Sequence, residues 1–301
     1  FMEYIQEANF CDATAFTLDT LTSAYNSGTV LFAKALVYDK GNGLRFNLGG
    51  YEAFMPMTEV YLSFDEADIK EAAVATRVNK LVCFVITQVK EQDDTIIFYI
   101  SRKKAQQLAF DNYISTLVPG EIIPCVVTHI DRFGVFCDIA YGISALLPID
   151  FISVSRIQSP HDRFCVGQKI FACIKSMDFA GRIVLSHKEL LGTWLENAEF
   201  FSAGMNTTGI VRSIEPYGIF IELAPNLAGL AESCEGISIG DVVNVYIKNI
   251  LPDKMKIKLV IMSTLKNETF SPEIKYFHTD GRISHWRYST ENCMKIIETI
   301  F

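Results

Sequence analysis

The sequence predicts an all-β-dominated fold: tandem five-stranded barrels joined by helical linkers, with a small C-terminal α+β appendage. Three observations predict it. First, the chain repeats itself. Phe133-Gly134-Val135-Phe136 and Tyr217-Gly218-Ile219-Phe220 stand at the same distance from a leading Gly120 or Gly204, and self-similarity of this kind marks a repeated structural unit. Second, the apolar runs are short, β-branched and punctuated by Gly, Pro and Asp, which is the composition of strands rather than helices. Third, each unit holds about five such runs in roughly 60–75 residues, which suits a small closed Greek-key barrel of the OB type.

In chain order, residues 1–27 read as a helical segment, with Thr17 as N-cap and Gly28 as the stop. Residues 28–104 form a divergent first copy, with strands at 30–38, 44–48, 81–89 and 95–101 and with Phe54-Met55-Pro56 standing where the second copy has Leu146-Leu147-Pro148. Aligned on these strands, the two aromatic positions of the repeat fall on Asn42 and Arg45. A helical linker at 105–118 carries Leu108, Tyr113, Ile114 and Leu117. The second copy spans 119–186. A second linker, 187–202, carries Leu190, Leu191, Trp194, Leu195, Ala198 and Phe201 at helical spacing. The third copy spans 203–263, and Gly240-Asp241-Val242-Val243 opens its closing hairpin as Gly167-Gln168-Lys169-Ile170 opens that of the second. In the appendage, 264–301, Asp280-Gly281 reads as a hairpin turn. Ser289 then caps a helix carrying Met294, Ile296, Ile297, Ile300 and Phe301.

Composition narrows the function classes. Half of the 301 residues are hydrophobic and 21% are charged, so each copy can bury a core. No run reaches the ~18 apolar residues of a membrane span, and no basic stretch followed by an apolar one marks a secretory leader. The eight cysteines form no C-x-x-C pair and most sit in apolar runs, which predicts buried free thiols and a reducing, cytoplasmic setting. Dispersed Cys and five His predict no metal site, and no cofactor is implied. Walker loops, nucleophile elbows and paired carboxylates are missing, so the sequence predicts no enzyme.

The order of motifs resembles the S1 RNA-binding domain, the OB-fold repeat of the largest small-subunit ribosomal protein of bacteria. The second copy carries Phe133-Gly134-Val135-Phe136, then Gly167-Gln168-Lys169-Ile170, then Asp178 and Gly181-Arg182-Ile183-Val184-Leu185-Ser186. The likeness runs from about residue 28 to 263, most specific in the second copy and weakest in the first. It implies that single-stranded RNA lies across the second and third strands. The implied contacts are Phe133, Phe136, Asp178 and Arg182 in the second copy, and Tyr217, Phe220 and Lys256 in the third. The family's third-strand His falls on Pro148 and Glu232, which departs from the pattern. The resemblance also implies a role in translation, with mRNA as ligand and with the divergent first copy docking on the small ribosomal subunit.

Physical chemistry gives the resemblance content. An aromatic ring fixed on a sheet stacks on any base, for about 1–3 kcal/mol each. Strand alternation sets i and i+3 on opposite faces, so an intervening bulge or turn must bring both rings outward. The loop 153–164 adds Arg156, His161 and Arg163, and the third closing hairpin adds Lys254, Lys256 and Lys258. The net charge of −8 speaks against binding by bulk charge. Yet residues 119–190 balance seven basic against seven acidic side chains, and His129, His161 and His187 add positive charge below pH ~6.5. The rival reading is a protein–protein interaction scaffold with decayed RNA affinity, for which Pro148, Glu232, Asn42 and Arg45 speak. A nuclease-tethering accessory is a third.

Overall fold

The computed structural model describes residues 5–7, 15–62, 71–92, 95–178, 181–265 and 270–301. Glu3, Cys11, Asp12 and the Asp93-Asp94 turn lie outside the described residues. The chain divides into two compact units, 1–117 with 138–144, and 118–137 with 145–301.

In the first unit, Thr17 Oγ1 accepts from the Thr20 amide and Gly28 adopts φ 68°, which bounds helix α1 (Leu18–Ser27). The strands are β1 (Leu31–Lys34), β2 (Val37–Asp39), β3 (Gly43–Leu48), β4 (Tyr51–Pro56), β5 (Leu81–Gln92) and β6 (Thr95–Ser101), with the short helix α2 (Glu71–Ala75) ahead of β5. They form one curled six-stranded sheet in the order β1-β5-β6-β4-β3-β2. The single first strand expected at 30–38 is broken here. The Ala35 amide donates to Lys80 O and the Leu36 amide to Arg45 O, so the chain leaves β5 and joins β3 at that corner. On β3, Leu44, Phe46 and Leu48 point into a core with Phe84, Phe98 and Ile100, while Arg45 and Asn47 point out.

Helix α3 (Arg102–Asn112) follows, capped by Ser101. Its buried Arg102 donates through Nε to Glu7 Oε1 at 2.6 Å and through Nη2 to Glu7 Oε2 at 3.0 Å. Burial pushes the Glu7 carboxyl up, but the Arg102 guanidinium outweighs it and holds the group below its ordinary value. Asp138 accepts from the Glu7 amide at 2.7 Å and from the Gly142 amide at 3.0 Å. Burial, then the Glu7 charge, raise its carboxyl to about 7. A carboxyl raised on folding destabilises progressively as pH climbs from its unfolded value near 4 to its folded value. Glu7 is ionised in both states above pH 5.5 and adds no slope there. Replacing Asp138 by Asn is therefore expected to gain stability relative to wild type by about 1 kcal/mol per pH unit between pH 5.5 and 7. Paired urea titrations across that range check it, and parallel curves would refute it.

The second unit holds two closed barrels. One comprises β7 (Ile122–Asp131), β8 (Gly134–Ala140), β9 (Ile143–Pro148), β10 (Lys169–Met177) and β11 (Ile183–Ser186). The other comprises β12 (Asn206–Glu215), β13 (Gly218–Ala224), β14 (Leu227–Ala231), β15 (Val242–Leu251) and β16 (Lys256–Thr264). The linker between them is not one helix. A 3₁₀ turn at Lys188–Leu191 gives way at Gly192, φ 78°, to the five-residue helix α4 (Trp194–Ala198) capped by Thr193. A Cβ at Gly192 would meet the Phe277 ring at 2.6 Å, so the break is where the C-terminal segment packs.

That segment differs from the hairpin and helix expected of it. Around Asp280-Gly281 the chain pairs with the start of β7: the Ile122 amide donates to Gly281 O and the Ile283 amide to Gly120 O. Ser289 caps no helix, because its Oγ closes a loop by accepting from the Ile297 amide and donating to Lys295 O, both at 2.7 Å. Strand β17 (His285–Arg287) instead pairs with β18 (Glu298–Ile300), and Trp286 and Tyr288 join the third-copy core. Of the described cysteines, Cys83, Cys125, Cys137 and Cys173 are buried, while Cys165 and Cys234 are exposed.

Candidate nucleic-acid interface

Gly134 and Gly218 open the second strand of each closed barrel, and a Cβ on them would lie 2.5 Å from Leu147 O and from Ala231 O. Only glycine lets the third strand pass that close. The residue before each glycine therefore sits in the reversing turn, not in the ladder. Strand alternation does not govern Phe133 or Tyr217, and both rings emerge, 52% and 69% exposed. Each meets the half-buried Phe two residues past the glycine edge to face. Phe133 and Phe136 lie 5.9 Å apart at 90°, and Tyr217 and Phe220 lie 6.1 Å apart at 89°.

In the second barrel a third ring extends this surface. His129, exposed on β7, stacks on Phe136 with centroids 6.0 Å apart and planes at 30°. Sequence reasoning missed it as a contact, although its place four residues before Phe133 on the adjoining strand was the available signal. Arg182, 82% exposed, donates through Nε to Asp178 Oδ2 at 2.7 Å, and its amide donates to Asp178 Oδ1 at 2.9 Å. Asp178 thus closes the hairpin and leaves the rest of the guanidinium to solvent. Arg156 and His161 are exposed on the loop.

Two expected contributions fail. Arg163 turns inward, its side chain 1% exposed, and pairs with Glu222 of the third barrel. Arg212 Nε also donates to Glu222, at 2.6 Å, and Arg212 reaches Asp162 at 3.4 Å. Arg163 is buried because these carboxylates give its charge a partner that the surface would not. His187 supplies no positive charge: burial lowers it to about 4, with Nδ1 against Ile152 O at 2.8 Å and Nε2 against the Tyr276 hydroxyl at 3.0 Å.

In the third barrel Lys254 and Lys256 are exposed at the β15–β16 turn. The lysines that share a groove with Tyr217 are Lys248 and Lys258, and Leu230 and Glu232 line it too. Lys258 stands opposite Leu230 on β14, one alternation closer to the ring than Lys256. No group of three His, Cys, Asp or Glu placed to hold a metal occurs among the described residues, and no described helix is long and apolar enough to cross a membrane.

The family model of the S1 RNA binding domain matches residues 117–188. The chain is similar to the small ribosomal subunit protein bS1 of Leuconostoc lactis, 27% identical over 251 residues, covering 78% of this chain and 57% of that protein. It is similar as well to the 4-hydroxy-3-methylbut-2-enyl diphosphate reductase of Fusobacterium nucleatum, 27% identical over 263 residues, covering 83% of this chain but 31% of that protein. A multidomain protein with nucleic acid binding domains from Streptococcus pneumoniae aligns with 78% of this chain and 74% of its own, at 13% identity and a TM-score of 0.26. The chain spans less than two thirds of the length of either curated relative. Residues 117–188, the second barrel, thus match the S1 RNA binding domain, and the likeness to bS1 extends over most of the chain.

Proposed function

We propose that the protein binds single-stranded RNA, without catalysing a reaction, by stacking bases on Phe133, Phe136 and His129 of one barrel and on Tyr217 and Phe220 of the next. The observation that carries this reading is the recurrence of one edge-to-face ring pair, half out of the surface, at the equivalent turn of both barrels. Unpaired bases suit such a platform because their faces are free, whereas a duplex keeps them stacked. Lys258 adds a phosphate contact in the groove beside Tyr217, and Arg182 adds one on the closing hairpin of the other barrel. Asp178 pairs with Arg182, and Glu232 lines the third-barrel groove, so charge contributes modestly. We assign the activity to the cytoplasm and to translation, with mRNA as ligand and the small ribosomal subunit as partner, on the strength of the bS1 likeness.

The test is fluorescence anisotropy of a labelled single-stranded RNA titrated with the full chain from 50 to 300 mM salt. Binding is expected to weaken with a log–log slope near −0.7 per neutralised phosphate, which means a slope of about −2 for a few contacts. A matched RNA duplex is expected to bind at least tenfold more weakly. Equal affinity for both, or no binding at low salt, overturns the reading and leaves the interaction scaffold.

A further inference from the structure

The first sheet lacks rings at its β2–β3 turn, since Asn42 and Arg45 stand there, yet it carries a ring pair of its own elsewhere. Gly43 marks the same closing point as Gly134 and Gly218, with its Cβ position 2.0 Å from Met55 O, which fixes the comparison. Arg45 on β3 stands opposite Phe54 on β4, and Phe54 stands opposite Tyr99 on β6, so the three form one row across three strands. Phe54 and Tyr99 meet edge to face, 6.0 Å apart at 87°, nearly the geometry of the other two pairs. In the closed barrels the matching positions of this row hold Leu146 with Val184 and Leu230 with Lys258. The aromatic pair has moved from the position of β3 and its turn to β4 and β6.

Cations accompany the moved rings. The Arg45 guanidinium lies 5.8 Å from the Phe54 centroid and the exposed Lys90 ammonium 4.6 Å from that of Tyr99. Both rings are half-buried and line an open cleft of about 700 Å³, together with Leu36, Asn42, Arg45 and Thr58. Asp39 and Glu52 also line it. Asp39 holds Arg45 at 2.9 Å, but an exposed pair of this kind is weak enough to yield to a competing anion. A cleft with two rings, Arg45 and two carboxylates, with Lys90 outside its lining but over Tyr99, favours base stacking over dense phosphate contact.

We propose that Phe54 and Tyr99 are a third, displaced platform for unpaired bases of single-stranded nucleic acid, with Arg45 and Lys90 taking the adjoining phosphates. The proposal rests on the stacking reading of the two closed barrels, and its test separates the two.

The experiment uses the full chain and a fluorescein-labelled heptauridylate at low salt. Its background is Phe133→Ala with Tyr217→Ala, which removes the exposed ring of each closed barrel. Residual binding is expected there, and Tyr99→Leu or Lys90→Glu added to that background should weaken it by about tenfold or more. Tyr99→Trp, which keeps a stacking face, should preserve it. Because Lys90 is exposed, its substitution reads binding without a folding defect. Residual binding indifferent to Tyr99→Leu and Lys90→Glu overturns the proposal. So does loss of all binding in the background variant, which leaves the closed-barrel reading standing. Background binding equal to wild type and abolished by Tyr99→Leu overturns the closed-barrel reading and supports this one. Failure of the wild-type chain to bind overturns both.

Discussion

Replacing Phe133 and Tyr217 together by Ala is expected to cost the chain most of its RNA affinity, about 1–3 kcal/mol for each ring. The two rings are the natural targets because they carry least of the fold. Each sits in a turn before a glycine, more than half exposed, and meets the next Phe edge to face. Surface truncations of this kind change stability by no more than about 0.5 kcal/mol. Phe136 and Phe220 are poorer probes, since they are half-buried and Phe136 also supports His129. Three further substitutions sharpen the result. Phe133→Trp enlarges the stacking face and should hold or raise affinity. Phe133→Leu keeps apolar area without a planar face and should behave nearly as Ala. His129→Ala should cost less than Phe133→Ala, because the stacked imidazole has one face against Phe136. Anisotropy with a single-stranded RNA ranks all four. If the Leu and Trp variants bind alike, stacking is not the source of affinity.

The ring pairs were legible because they rest on local geometry. A glycine at a strand start and an aromatic residue before it are two residues of sequence, and they repeat at a fixed distance from Gly120 and Gly204. What the spacing left open was whether Phe133 faced out. That depended on its lying in the turn, a matter of one residue, and the approach of Leu147 O to Gly134 decided it. Arg163 was not legible. Its neighbours are a basic, polar loop, and its burial follows from Glu222 and Arg212 in a different barrel. The Phe54–Tyr99 pair was hidden for a related reason: its members lie on strands joined only by parallel pairing. At the C-terminus, helical spacing of Ile296, Ile297 and Ile300 misled. The run Ile296-Ile297-Glu298-Thr299-Ile300 is mostly β-branched, and its alternation, Thr299 in and Ile300 out, is that of the strand observed.

Glu222→Gln is expected to be among the most damaging single substitutions in the chain. Glu222 is fully buried on β13 and accepts from Arg163 and from Arg212 at once. A register shift between Val211 and Ser213 on β12 leaves Arg212 as the bulged residue beside it. Removing the Glu222 charge leaves the buried Arg163 guanidinium without its carboxylate and Arg212 with Asp162 alone, at 3.4 Å. Burial first, and then the neighbouring Arg212 charge, already lower the Arg163 guanidinium to about 9. Breaking a buried pair from one side typically costs about 3–5 kcal/mol, because the surviving charge keeps its desolvation penalty. Arg163→Gln should cost less, since Glu222 then retains Arg212 at 2.6 Å. The order of the two variants is the decisive part. Urea unfolding should place Glu222→Gln below Arg163→Gln, and both below wild type. The reverse order would mean that packing of the Arg163 stem, not neutralisation by Glu222, holds the second and third barrels together at this point.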